Sequence, residues 1–140
     1  MMYDATVTDP KPLRVRVYSD DRDVREDVVL ALGTRPHPDL PPFEYVHCAT
    51  EPVVFQHLDV GDIDLVILDG EATPAGGMGI ARQMKDEIYE APPVLIITGR
   101  AQDAWLATWS RAEAAVSHPI EPMRLAEAVI DLARTVRPTR

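Results

Sequence analysis

The chain has 140 residues, 46% of them hydrophobic, with 13 prolines and a formal net charge of −9. That is enough chain for one core, and the acidic balance argues against binding a phosphate backbone, which needs clustered Lys and Arg. No apolar stretch approaches the roughly 20 residues that cross a bilayer, the N-terminus lacks the basic and apolar regions of a signal peptide, and the single Cys48 leaves no intrachain disulfide. The expectation is a cytoplasmic protein with no nucleic-acid partner and no membrane insertion.

Residues 1–12 are polar, end in Pro-Lys-Pro and read as a flexible leader. Leu13-Arg14-Val15-Arg16-Val17-Tyr18 alternates at period 2, as a first strand with one face less buried would. Ser19-Asp20-Asp21-Arg22-Asp23 follows as a turn, and Asp23 with Glu26 has the spacing of a capping box. Val24, Val28 and Leu32 then recur at helical spacing up to Gly33.

Four prolines between Thr34 and Pro42 predict a long loop before a second alternating strand, Phe43 to Cys48. Thr50 can cap a short helix running through Val54 and Leu58. Next comes Ile63-Asp64-Leu65-Val66-Ile67-Leu68-Asp69-Gly70, a nearly unbroken apolar run that stops at a carboxylate. Such a run reads as a strand buried on both faces. Burying a charge is costly, so Asp69 belongs where the strand emerges at its C-terminal edge.

Gly70 to Gly79 reads as a Pro/Gly-rich loop, with Gly76-Gly77-Met78-Gly79 a flexible connector, before a helix that aligns Ile80, Met84 and Ile88. Val94 to Thr98 is a second fully apolar strand. Helical spacing resumes from Gln102 to about Ala112, and Ala114 to His118 is a fifth strand of weaker propensity. Met123, Ala126, Val129, Ile130 and Ala133 line a last helix, ahead of a basic tail at 137–140.

Five alternating strand–helix pairs over residues 13–136 predict a single α/β domain with a parallel sheet and right-handed crossovers. The size fits a flavodoxin-like (βα)5 three-layer sandwich with strand order 2-1-3-4-5 and its switch point between strands 1 and 3. Ligands of such sheets bind at the C-terminal ends of the strands, which sets the Ser19-Asp20-Asp21 turn beside Asp69.

Acidic residues after strand 1, Asp69 after strand 3, Thr98 ending strand 4 and His118-Pro119 ending strand 5 form an ordered pattern. It resembles the receiver domain of bacterial two-component response regulators. The resemblance implies a phosphoacceptor at Asp69, for which the phosphodonor would be a histidine kinase, and a hydroxyl at Thr98 that contacts the phosphoryl oxygens. It also implies Mg²⁺ held by Asp20, Asp69 and the backbone carbonyl of Glu71. Hard carboxylate and carbonyl oxygens suit that ion, and cations offset phosphoryl charge.

Three positions depart from the family pattern. Ser19 stands at the first acidic position, which removes a ligand and leaves a weak cation site. His118 replaces the Lys that precedes the proline, and an imidazole is neither a permanent charge nor as long. Ala115 occupies the place of the switch aromatic. The segment from Asp69 to Pro74 is also one residue longer than usual. An atypical, stand-alone receiver that signals through protein–protein contact is the reading, with homodimerisation through the last strand and helix a further expectation of the family.

Trp105 and Trp109 share one helix face, where core packing and partner binding are both open readings. His118 is a candidate hydrogen-bond partner of Asp69; His47 and His57 have no partners at ligand spacing, and Asp21 and Asp23 read as caps or solvated charges. A second functional class is an aspartate-nucleophile phosphatase. Leu68-Asp69-Gly70-Glu71-Ala72-Thr73 loosely resembles the Asp-x-Asp motif of the haloacid dehalogenase family, although the second acid is Glu71 and no downstream acidic pair follows.

Overall fold

The computed structural model describes residues 11–56, 58, 61–72, 76–100, 103 and 105–136. The expected tail, most of the expected leader, His57 and Gln102 lie outside these. Five strands, β1 (Leu13–Tyr18), β2 (Phe43–Cys48), β3 (Leu65–Asp69), β4 (Val94–Thr98) and β5 (Ala114–Ser117), form one parallel sheet in the order β2-β1-β3-β4-β5. Between and after them come α1 (Arg22–Leu32), α2 (Glu51–Phe55), α3 (Gly77–Glu87), α4 (Trp105–Ser110) and α5 (Pro122–Ala133). This is the flavodoxin-like order.

The alternation of side chains along each strand divides the core in two. Val15, Val17, Ile67, Leu95 and Ile97 pack on one face with Val28 of α1 and Leu125 and Val129 of α5. Val66, Leu68 and Ile96 pack on the other with Val54 of α2 and Ile80 and Met84 of α3. β3 and β4 are buried at every position, as their unbroken apolar runs require.

Several local expectations shift. The cap of α1 is Asp21, whose Oδ1 accepts from the Asp23 backbone N–H at 2.9 Å; Asp23 lies inside the helix. Gly33 closes α1 at φ +67°, a conformation that costs side-chain-bearing residues strain. Thr50 precedes α2 but makes no side-chain cap, and the helix ends at Phe55, short of Leu58. Met123 is exposed and the buried stripe of α5 is Leu125, Val129 and Ala133, because the helix starts at Pro122 and so turns Met123 outward.

The glycine-rich connector is the largest correction. Gly77 opens α3, and a Cβ there would lie 2.8 Å from both the Asp69 carbonyl oxygen and the Leu68 Cβ. Glycine serves close backbone approach here, so the start of α3 can press against the end of β3. The segment holds Asp69 from beneath.

Candidate functional site

β1 and β3 are hydrogen-bonded neighbours, with Tyr18 opposite Leu68, so Ser19 and Asp69 leave the sheet side by side. Ser19 is 0% exposed and Asp69 3%. The Ser19 hydroxyl donates to Asp69 Oδ2 at 2.7 Å, and its oxygen accepts the Asp21 backbone N–H at 3.0 Å. Asp69 Oδ1 accepts the Glu71 backbone N–H at 2.9 Å and lies 3.1 Å from His118 Nε2. A carboxylate nearly shut off from water thus has both oxygens engaged, which is the condition for burying it at tolerable cost.

Asp69 and His118 open, with Asp20, Asp21, Val24, Glu71 and Gly99, onto a basin of about 440 Å³ at the C-terminal edge of the sheet. The Glu71 carboxylate rests against Gly99, where a Cβ would lie 2.5 to 2.7 Å from it. Burial raises the Tyr18 hydroxyl above its usual pKa, assisted by the charges of Asp20, Glu51, Cys48 and Asp69.

Asp69, Asp20, Glu71, His118 and the Ser19 substitution come together in this basin, whereas Thr98 does not reach it. Its hydroxyl donates to the carbonyls of Arg100 at 3.1 Å and Val116 at 3.4 Å. It instead lines a separate groove of about 400 Å³ with Ala115, Ser117 and residues of α5. A strand-end hydroxyl satisfies nearby backbone oxygens first, and no residue pattern reports that choice.

Trp105 is 66% exposed and Trp109 49%. The Arg82 guanidinium lies 5.1 Å from the centre of the Trp109 ring and donates to the Trp109 carbonyl at 2.9 Å, so this tryptophan clamps α4 onto α3. Trp105 stands outside that clamp. Core packing describes neither ring.

Asp20, Asp69 and the Glu71 carbonyl supply the oxygens that would hold a Mg²⁺ here, one carboxylate fewer than the family pattern. Ser19 holds Asp69 Oδ2 where the family has a further carboxylate, and Oδ1 accepts two hydrogen-bond partners. Among the described residues no group of three or more His, Cys, Asp or Glu is arranged to hold a metal ion. Mg²⁺ prefers near-octahedral oxygen ligation and would compete with these bonds for the Asp69 oxygens.

No family model matches the chain. Two curated relatives do, both uncharacterized response regulatory proteins of Mycobacterium tuberculosis, from strains CDC 1551 / Oshkosh and ATCC 25618 / H37Rv. Each is 59% identical over 122 residues, 87% of this chain and 92% of the relative. The chemotaxis response regulator CheY4 of Vibrio cholerae superposes with a TM-score of 0.71 at 15% identity, covering 87% of this chain and 99% of that one. The CheY-like receiver domain of Methanospirillum hungatei JF-1 gives 0.69 at 16% identity, with coverage of 89% and 96%. The receiver domain of a Syntrophus aciditrophicus signal transduction histidine kinase gives 0.71 at 19%, with coverage of 91% and 94%. At these identities the structures establish the fold, while the mycobacterial relatives carry the family: the chain belongs to the response regulator receivers.

Proposed function

We propose that this receiver works as a protein-docking module whose candidate phosphoacceptor, Asp69, is held in a closed hydrogen-bonded state by Ser19 and His118. The observation that carries this reading is the engagement of both Asp69 oxygens, at 2.7 Å by Ser19 and at 2.9 and 3.1 Å by Glu71 N–H and His118. Receivers are signal transducers rather than turnover enzymes, and the only chemistry assigned to this chain is acceptance of a phosphoryl group.

In that step an Asp69 oxygen attacks the phosphorus of a histidine kinase phosphohistidine. The new O–P bond forms as the N–P bond breaks, and the electron pair leaves on the kinase imidazole. Attack through Oδ1 requires Glu71 N–H or His118 to give up its bond, while attack through Oδ2 uses an oxygen whose nucleophilicity the Ser19 hydroxyl lowers. The charge that develops on the phosphoryl oxygens then meets an imidazole in place of an ammonium, and stabilisation of that charge is most of what a phosphoryl-transfer site supplies. Mg²⁺ binding is weak for the reasons given above. Trp105, exposed on α4, is assigned to the interaction surface.

Titration of the ¹⁵N-labelled chain with beryllofluoride and Mg²⁺, together with intact mass after acetyl phosphate, tests the reading. The expected result is a small, unsaturated response in the wild type, none in Asp69→Asn, and a larger one in the double variant Ser19→Asp/His118→Lys. A wild-type response as complete as that of the double variant would refute the closed state. A response that survives in Asp69→Asn would refute the acceptor.

A further inference from the structure

The face of α1 turned toward the β2 edge carries a feature that the Asp69 basin does not use. Arg22, Arg25, Glu26, Val29 and Leu30 of α1, with His47 of β2, line an open groove of about 570 Å³. Its apolar part is unusually bare: Leu30 is 81% exposed, on a helix whose buried stripe is Val28 and Leu32. Its polar part is cationic in a chain of net charge −9. Glu26, the groove's one acid, is paired with Arg22 at 3.4 Å.

Arg25 is left over. Its Nε is buried and has no hydrogen-bond partner, and among the described residues no carboxylate pairs with its guanidinium. It lines the groove together with His47 of the edge strand β2. A carboxylate arriving in this open groove gains a charge-assisted bond with the Arg25 guanidinium. An isolated anion would use the arginine and ignore Leu30. A ligand that presents a carboxylate next to an apolar side chain satisfies both.

We infer that the α1–β2 groove is a docking site for an acidic, amphipathic segment of a protein partner, whose carboxylate pairs with Arg25 beside His47 and whose neighbouring apolar side chain covers Val29 and Leu30. The inference rests on the docking-module reading and names the chemistry of the partner. Nucleic acid and anionic membrane are disfavoured as occupants because their negative charge extends well beyond the groove, over a surface of net charge −9, whereas a single carboxylate is confined to it.

The test is selection of a random displayed peptide library on the immobilised full-length chain, followed by ¹⁵N NMR titration with synthetic copies of the enriched peptides. The expected peptides place Asp or Glu within a turn of a large apolar residue and shift the amides of Arg25, Val29, Leu30 and His47. Their affinity falls at least about tenfold in Arg25→Gln and in Leu30→Ser, the loss typical of a residue at the centre of an interface. Leu30→Ser keeps the test secure if Arg25→Gln perturbs α1, because Leu30 contributes little to the core. Enriched peptides without acidic residues, shifts confined to another face, or unchanged affinity in both variants would overturn the inference. So would equal shifts of these amides by phosphatidylserine vesicles or by inorganic phosphate alone. Failure here leaves the beryllofluoride result untouched, so the groove and the closed acceptor stand or fall separately.

Discussion

Replacing Ser19 by Asp reverses the character of its contact with Asp69. In the wild type a hydroxyl donates across 2.7 Å to a buried carboxylate oxygen; in Ser19→Asp two carboxylates face each other with the sheet beneath them. Two unit charges about 4 Å apart at an effective dielectric near 20 repel by about 4 kcal/mol. Protonating one of them at pH 7, from an ordinary pKa of about 3.9, costs about the same, so neither escape is cheap. The expected loss is about 3–4 kcal/mol, or a fall in Tm of roughly 10 °C for a chain of this size.

The variant also regains the missing ligand for a hard cation. With Mg²⁺ at ten times its dissociation constant, the stabilisation is about 1.4 kcal/mol, or roughly 4 °C. Differential scanning calorimetry of wild type and Ser19→Asp, with and without Mg²⁺, reads both effects. Because a shared proton relieves the repulsion, the variant should also recover stability as the pH falls from 7 toward 5. Equal Mg²⁺ stabilisation of wild type and variant would refute the claim that Ser19 weakens the cation site. An unchanged Tm in Ser19→Asp without metal would refute the contact itself.

Other outcomes follow from the same geometry. Gly77→Ala places a Cβ 2.8 Å from a backbone oxygen of Asp69, an atom with no side-chain freedom to yield; urea unfolding should show a loss of about 2 kcal/mol or more, despite alanine's better helix propensity. Burial pushes the Cys48 thiol up to about 11 from an ordinary 9.0, so the native chain should resist iodoacetamide at pH 8 while the urea-unfolded chain reacts. The folded state holds that proton more tightly, so its stabilising contribution is complete below pH 9 and is lost as the pH rises through about 11. A Cys48→Ala variant should lack this alkaline decline in urea titrations.

Most of the sheet could be read from residue order because each signal was local. Unbroken apolar runs marked β3 and β4, period-2 alternation marked β1 and β2, and the carboxylate after Leu68 marked where β3 leaves the core. The start of α3 was illegible because Gly76 and Gly77 are poor helix formers. Gly77 is required by the approach of α3 to the Asp69 carbonyl, a tertiary demand that propensity does not carry. At the site, the sequence pattern identifies Ser19 and His118 as departures from the family but not the bonds they make. The direction of the Thr98 side chain was illegible for the same reason: residue type names a hydroxyl, while the carbonyls of Arg100 and Val116 decide where it points. Arg25 escaped notice because which cations lack a carboxylate among the described residues is visible only once the acceptors have positions.

The Ser19–Asp69–His118 chain of contacts also bears on how the molecule folds. Its two links join residues 50 and 49 positions apart in sequence, across the first, third and fifth elements of the sheet. Loop closure over such separations is entropically costly, and in parallel sheets contacts of this kind form after the local helices and turns. The Asp69 network therefore assembles only when the chain has been threaded almost end to end. A chain folded only as far as β4 would lack the His118 contact. The shift of the His118 ring resonances on meeting Asp69 would then serve as a molecular certificate of complete folding, acquired later than amide protection in β3.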